Sequence, residues 1–193
     1  GIKLNKQKAV EDYIAAAEWL VENEYTTKEK LVANGGSASG PLVGAALTQR
    51  PNLFGAVLID IPLLDMVRYE ESGIGSLWVS EFGSISDPKE FRALLDYSPY
   101  HNLEPGTCYP PILVTAGERD ETALPWHAAK FTAALQHIED CGHLALLQIV
   151  WGAGHTLGTS RHQSAKIYAR QLAFLAEVLG LEAMVRTKEA AAR

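Results

Sequence analysis

A chain of 193 residues is long enough for one domain that buries roughly 70% of its unfolded-chain surface. Its net charge of -6, from 17 basic and 23 acidic side chains, leaves no basic footprint for nucleic acid and no polybasic segment for a membrane surface. No apolar run approaches the roughly 20 residues of a membrane helix, and the N-terminus lacks a signal-peptide pattern.

Val10, Tyr13, Ile14, Ala17, Leu20 and Val21 recur at helical spacing and predict an amphipathic helix over residues 6–23. "KLVANG" is a short apolar run ending in glycine, as a buried strand should be. "PLVGAALTQRP" predicts a helix with Pro41 in its first turn, where a missing N–H does no harm, stopped before Pro51. "GAVLIDIPL" and "PPILVTAGE" predict the second and third strands, each near-continuously apolar, as in a parallel sheet covered on both faces. Residues 65–105 are mixed and turn-rich, and short helices are expected there. "ALPWHAAKFTAALQHI" predicts a helix with Ala128, Phe131, Ala134, Leu135 and Ile138 on its apolar face. "LALLQIVWG" is the fourth strand, and residues 160–179 close the fold as a helix carrying Ile167, Leu172, Phe174, Leu175 and Val178. One domain over residues 1–183 is expected, followed by a polar, helix-favouring tail over residues 184–193. The first residue is glycine, not methionine, which predicts a processed chain or a piece of a longer one. Cys108 and Cys141 are too few and too poorly spaced for a zinc site or a disulfide framework. They are expected as reduced thiols of a cytoplasmic protein, although two cysteines do not fix a compartment and the periplasm stays open.

Alternating strands and helices with buried-type strands predict an α/β fold with a parallel sheet. Ligands of such sheets sit at the carboxyl ends of the strands. Three loops follow predicted strands directly: "GGSASG" with Ser37, "GERDET" with Asp120 and "WGAGHTLG" with His155. A serine hydroxyl is a poor nucleophile unless a base takes its proton and a carboxylate orients that base. On α/β-hydrolase sheets these groups follow one another as serine, acid, histidine, the order found here. Gly35 satisfies the glycine expected two residues before the nucleophile. Ser39 stands two residues after it, where the G-x-S-x-G pattern wants glycine. The helix beginning there aims its first amides, Ala38 N–H among them, at a developing oxyanion.

At these residues the chain resembles the catalytic domain of the prolyl oligopeptidase family of serine peptidases. The resemblance runs from "NKQKAVEDYIAAAEWL" through "GGSASG", "PLLDMVRY", "SLWVSEFG", "YSPYHN", "PPILVTAGERD" and "GAGH" to "QLAFLAEVLGL". It implies an α/β-hydrolase fold, a mostly parallel sheet with helices on both faces, and a peptide substrate. Carried over, Ser37 is the nucleophile, Asp120 the orienting acid, His155 the general base and Ala38 N–H an oxyanion donor. Trp78 falls where the family has an indole that stacks on the substrate's proline ring. No metal or organic cofactor is implied. The departures are Ala38 where asparagine is common, Thr122 where an arginine holds a substrate carbonyl, and missing length. Relative to the family, an N-terminal β-propeller and the first strands of the hydrolase sheet are absent.

Other readings stay open beside these. Glu118 and Glu121 are rival acids, with Asp60 and Asp65 weaker ones after the second strand. His101, His127, His137, His143 and His162 are expected on the surface or in packing. A truncated or inactive hydrolase-like fragment is the alternative function. Its leading sheet edge would pair with the missing N-terminal part or with another copy of itself.

Overall fold

The computed structural model describes residues 1–158 and 160–181. Four strands form one sheet: β1 (Val32–Gly36), β2 (Ala56–Asp60), β3 (Ile112–Gly117) and β4 (Ala145–Val150). They lie in the order β1-β2-β3-β4 and all pair parallel. Helix α1 (Lys6–Glu22) precedes β1, and α2 (Gly40–Gln49) crosses from β1 to β2. Between β2 and β3 lie 3-10 turns at Gly75–Trp78 and Pro99–Asn102, with short helices α3 (Val79–Phe82) and α4 (Pro88–Tyr97). Helix α5 (Trp126–Ile138) leads to β4, and α6 (Arg161–Val178) follows it.

The predicted elements stand within a few residues of their expected bounds, and local chemistry explains where they begin. Asp87 opens α4 by accepting the N–H groups of Lys89 and Glu90, with Pro88 in the first turn. Ser160 opens α6 by accepting the N–H of Gln163. Both are side-chain caps of the kind worth about 1 kcal/mol.

Side chains alternate across a strand, and the alternation divides the core. Val57, Ile59, Ile112, Val114 and Ala116 face the larger cluster, with Val10 and Ile14 of α1, Leu47 of α2 and Phe131 of α5. Ala56, Leu58 and Leu113 turn to the other face and meet Phe174 of α6. Helices therefore cover both faces. Gly36 is level with Asp60, Asp60 with Thr115, and Gly117 with Val150. The loops after β1, β3 and β4 consequently leave the sheet at one rim.

One expectation is corrected. Cys108 and Cys141 are disulfide-bonded, with Cα atoms 5.7 Å apart. The parallel register explains it: Ile112 pairs with Ala145, and each cysteine lies four residues before one of that pair. The expected tail over residues 184–193 lies outside the described residues.

Candidate active site

The turn after β1 is held by close packing. A Cβ on Gly36 would come within 2.2 Å of the Asp60 carbonyl oxygen, and one on Gly35 within 2.6 Å of Val43. Only glycine fits at either place. The chain then enters a 3-10 turn at Ser37–Ser39 that runs directly into α2. Ser37 itself has φ +49°, a left-handed conformation that costs a non-glycine residue of order 1–3 kcal/mol and needs support from its surroundings. That support is reciprocal: Ser37 N–H donates to Ile61 O at 3.1 Å, and Leu63 N–H donates to Ser37 O at 3.3 Å. Ser39 takes the place of the second glycine of the pattern without disturbing the turn. Its hydroxyl accepts Gly36 N–H at 2.9 Å and donates to Gly36 O at 2.8 Å.

The structure brings Ser37, His155 and Asp120 together. Ser37 Oγ lies 2.8 Å from His155 Nε2. His155 Nδ1 lies 3.0 and 2.9 Å from the two oxygens of Asp120. A carboxylate only accepts, so Nδ1 carries the proton and Nε2 presents its lone pair to the serine hydroxyl. Asp120 is 1% exposed, and its Oδ1 also accepts the N–H groups of Thr122 and Ala123. The carboxylate is therefore fixed from two sides. The acid and histidine loops are joined by backbone as well. Arg119 N–H donates to Ala153 O at 2.8 Å, and the Glu118 carboxylate accepts Gly152 N–H at 2.8 Å.

The rival acids are engaged elsewhere or exposed. Glu118 serves Gly152 as described, Glu121 is exposed, and Asp60 accepts both of its 2.9 Å bonds from Gln171 Nε2. Asp65, buried, is ion-paired with Lys130 and with Arg68, and His101 stands 3.7 Å away. Burial pushes the Asp65 carboxyl up, but the hydrogen bond and charge of Lys130, with His101 and Arg68 beside it, outweigh burial and hold it below the usual carboxylate range.

Ala38 is exposed at the opening turn, and an N–H that early precedes the helical hydrogen-bond ladder. Trp78 closes the 3-10 turn Gly75–Trp78 and rests half-buried against the main core. Among the described residues it makes no hydrogen bond or ring contact with Ser37, Asp120 or His155. Its segment does reach the acid loop, because a Cβ on Gly73 would lie 2.7 Å from the carbonyl oxygens of Glu121 and Thr122. Two further residues shape the site. Ile61 has φ +44°, and nothing in a β-branched residue announces that. His127 is fully buried and accepts backbone hydrogen bonds; its place four residues before Phe131 on the apolar stripe of α5 was the available signal.

A parallel sheet bearing a histidine, a carboxylate and a serine on a strained strand-to-helix turn defines a hydrolase-like site. A profile of the prolyl oligopeptidase family matches residues 1–182. The prolyl endopeptidase of Elizabethkingia meningoseptica is 37% identical over 185 residues, 95% of this chain and 26% of that protein. A solved prolyl endopeptidase structure superposes with a TM-score of 0.87 at 43% identity, covering 93% of this chain and 27% of the other. Oligopeptidase B from Leishmania major superposes with a TM-score of 0.89 at 32% identity, over 93% and 25% of the two chains. The chain belongs to the prolyl oligopeptidase family. It spans about a quarter of the length of the relatives it matches.

Proposed function

We propose that this chain carries the reacting groups of a serine peptidase of the prolyl oligopeptidase type. The observation that carries the reading is the unbroken relay from Ser37 Oγ through both nitrogens of His155 to the buried Asp120. His155 Nε2 takes the hydroxyl proton as Ser37 Oγ bonds to the peptide carbonyl carbon. The carbonyl π pair moves onto oxygen, where Ala38 N–H meets it. Collapse expels the amine, which receives the proton from Nε2 and leaves an ester on Ser37. A water molecule, deprotonated by the same imidazole, then hydrolyses that ester. Asp120 holds the tautomer and offsets the charge of the imidazolium. Protein groups supply every proton transfer in this sequence.

Trp78 supports a post-proline preference, since a flat indole face suits a rigid pyrrolidine ring. The uncharged Thr122 offers no cation to a substrate carbonyl, so the preference rests on ring contact. The outer edge of β1, unpaired among the described residues, supports docking of further chain from the same protein. The disulfide favours maturation in an oxidising compartment, such as the periplasm, over the cytoplasm.

A fluorophosphonate probe tests the reading. Covalent labelling that disappears in Ser37→Ala is the expected result. Absence of labelling in a sample with a cooperative unfolding transition overturns it and favours an inactive, associating fragment.

A further inference from the structure

Every N–H that residues 61–68 possess is bonded. Ile61 N–H donates to Thr115 O at 2.6 Å, Leu63 N–H to Ser37 O, and Met66 N–H to Ser98 Oγ at 3.0 Å. Val67 and Arg68 N–H both donate to Asp65 Oδ1. The two in the middle, Leu64 and Asp65, converge on one atom of another element, His127 Nδ1 of α5, at 3.3 and 3.1 Å. The same segment exchanges backbone bonds with Ser37 at its other end. It also contains Ile61, whose φ of +44° faces the +49° of Ser37. Two strained residues thus hold each other in place. Strain of this kind persists only where the surroundings over-determine it.

We propose that His127 is a positioning residue for the nucleophile: by anchoring the amides of Leu64 and Asp65 it fixes residues 61–65, and through Ile61 O and Leu63 N–H it fixes the backbone of Ser37. The inference rests on the serine-hydrolase reading above for its catalytic consequence, but not for the mechanical link. Two N–H donors on Nδ1 require that nitrogen to be unprotonated, which places the ring proton on Nε2. Nε2 is buried without a hydrogen-bond partner among the described residues, a cost of roughly 1–3 kcal/mol for such a group. A residue kept only to fill space would avoid that cost. The charged groups facing the ring are the Asp65 carboxylate from the segment and the Lys130 ammonium from α5, with Arg68 and His101 gathered around Asp65. Trp126 stacks on the ring at 3.8 Å between centroids and helps close it from water. Burial, ahead of these charges, pushes the imidazole down to about 4, so the acceptor is in place at neutral pH.

Residue-resolved amide exchange of this protein, with phosphonate labelling of Ser37 alongside, tests the link. In His127→Leu, the amides of Leu64 and Asp65 should exchange at least tenfold faster, and those of Leu63 and Ser37 should follow. Arg119 N–H, which bonds Ala153 O, should keep its protection, and labelling should slow at least tenfold. His127→Asn, whose Oδ1 can stand in for Nδ1, should recover much of both. Loss of protection at Leu64 and Asp65 with Ser37 exchange and labelling unchanged would overturn the proposal. If His127→Leu does not fold, the wild type decides. On acidification through the titration of His127, the four amides should lose protection together and ahead of Arg119 N–H, and loss at Leu64 and Asp65 alone, or at all five amides at once, would overturn the link. Absence of labelling in the wild type strikes the peptidase reading, while exchange still judges the mechanical one.

Discussion

Ser39 Oγ closes a ring with the backbone of Gly36, accepting its N–H at 2.9 Å and donating to its carbonyl at 2.8 Å. The hydroxyl therefore braces the last residue of β1 from two residues beyond Ser37, at a position where the hydrolase pattern has only a hydrogen atom. Glycine at this place permits the turn, whereas serine ties it down. Ser39→Ala should cost about 1 kcal/mol, the net worth of an ordinary hydrogen bond at an exposed site, and slow labelling of Ser37 several-fold. Ser39→Gly should cost somewhat more, because the freer backbone adds to the loss. Denaturant unfolding of the two variants measures both effects. Equal stability of all three proteins would show that water replaces the hydroxyl at no cost.

Asp120 does two jobs, and Asp120→Asn separates them. The asparagine Oδ1 can still accept the N–H groups of Thr122 and Ala123, which now bond Asp120 Oδ1, so the loop should keep its shape. The amide N–H₂ can only donate to His155 Nδ1, which forces the proton to Nε2 and removes the acceptor that faces Ser37 Oγ. Labelling should fall by roughly 10⁴ with little change in unfolding midpoint. A variant that labels within tenfold of the wild type would remove Asp120 from the relay.

Acid should weaken the fold through two buried groups near the same segment. His127 is held near 4 in the folded chain, against an ordinary value of about 6.5 when unfolded. Below that unfolded value only the unfolded state gains the proton, so stability is lost as pH falls from about 6.5 toward 4. At about 1.4 kcal/mol per unit, the loss approaches roughly 3 kcal/mol. Asp65, held below its ordinary range by Lys130, His101 and Arg68, adds a further loss below about pH 4. Urea unfolding at pH 7, 6, 5 and 4 reads the first part, and His127→Asn should flatten it. An unchanged slope in that variant would assign the acid sensitivity to other groups.

The sheet was legible because its four strands are short apolar runs bounded by glycine or proline, and a buried parallel strand can hardly look otherwise. The helices were legible from spacing, with Ser160 marking the start of α6. What spacing does not reveal is pairing across the sheet. Cys108 and Cys141 look unrelated along the chain, yet each stands four residues ahead of Ile112 or Ala145, a register pair of β3 and β4. From the sequence, His127 is expected on the surface or in packing, although it shares a helical stripe with Phe131 and Leu135. Whether a histidine on such a stripe meets an acceptor, a donor or nothing depends on the loop packed over it. Positive φ at Ile61 is least visible of all, because local preference argues against it and only the surrounding hydrogen bonds impose it.

The disulfide should contribute strongly to stability. It joins the stretch leading into β3 to the turn between α5 and β4, and beside it His143 Nδ1 meets Tyr109 O at 2.5 Å while Ile112 N–H donates to Leu144 O at 2.8 Å. Its sequence separation of 33 residues corresponds to roughly 3–4 kcal/mol of chain entropy removed from the unfolded state. For a chain of this size the midpoint of thermal unfolding should then fall by on the order of 10 °C on reduction or in Cys108→Ala/Cys141→Ala. The noncovalent contacts at the same place should keep the reduced protein folded, so its labelling at room temperature should persist. Thiol titration of protein purified without reductant gives the independent check: close to zero reactive thiols per chain after denaturation is expected. Two thiols per chain, with a midpoint that reductant does not move, would return both cysteines to the free state and remove the support for an oxidising compartment.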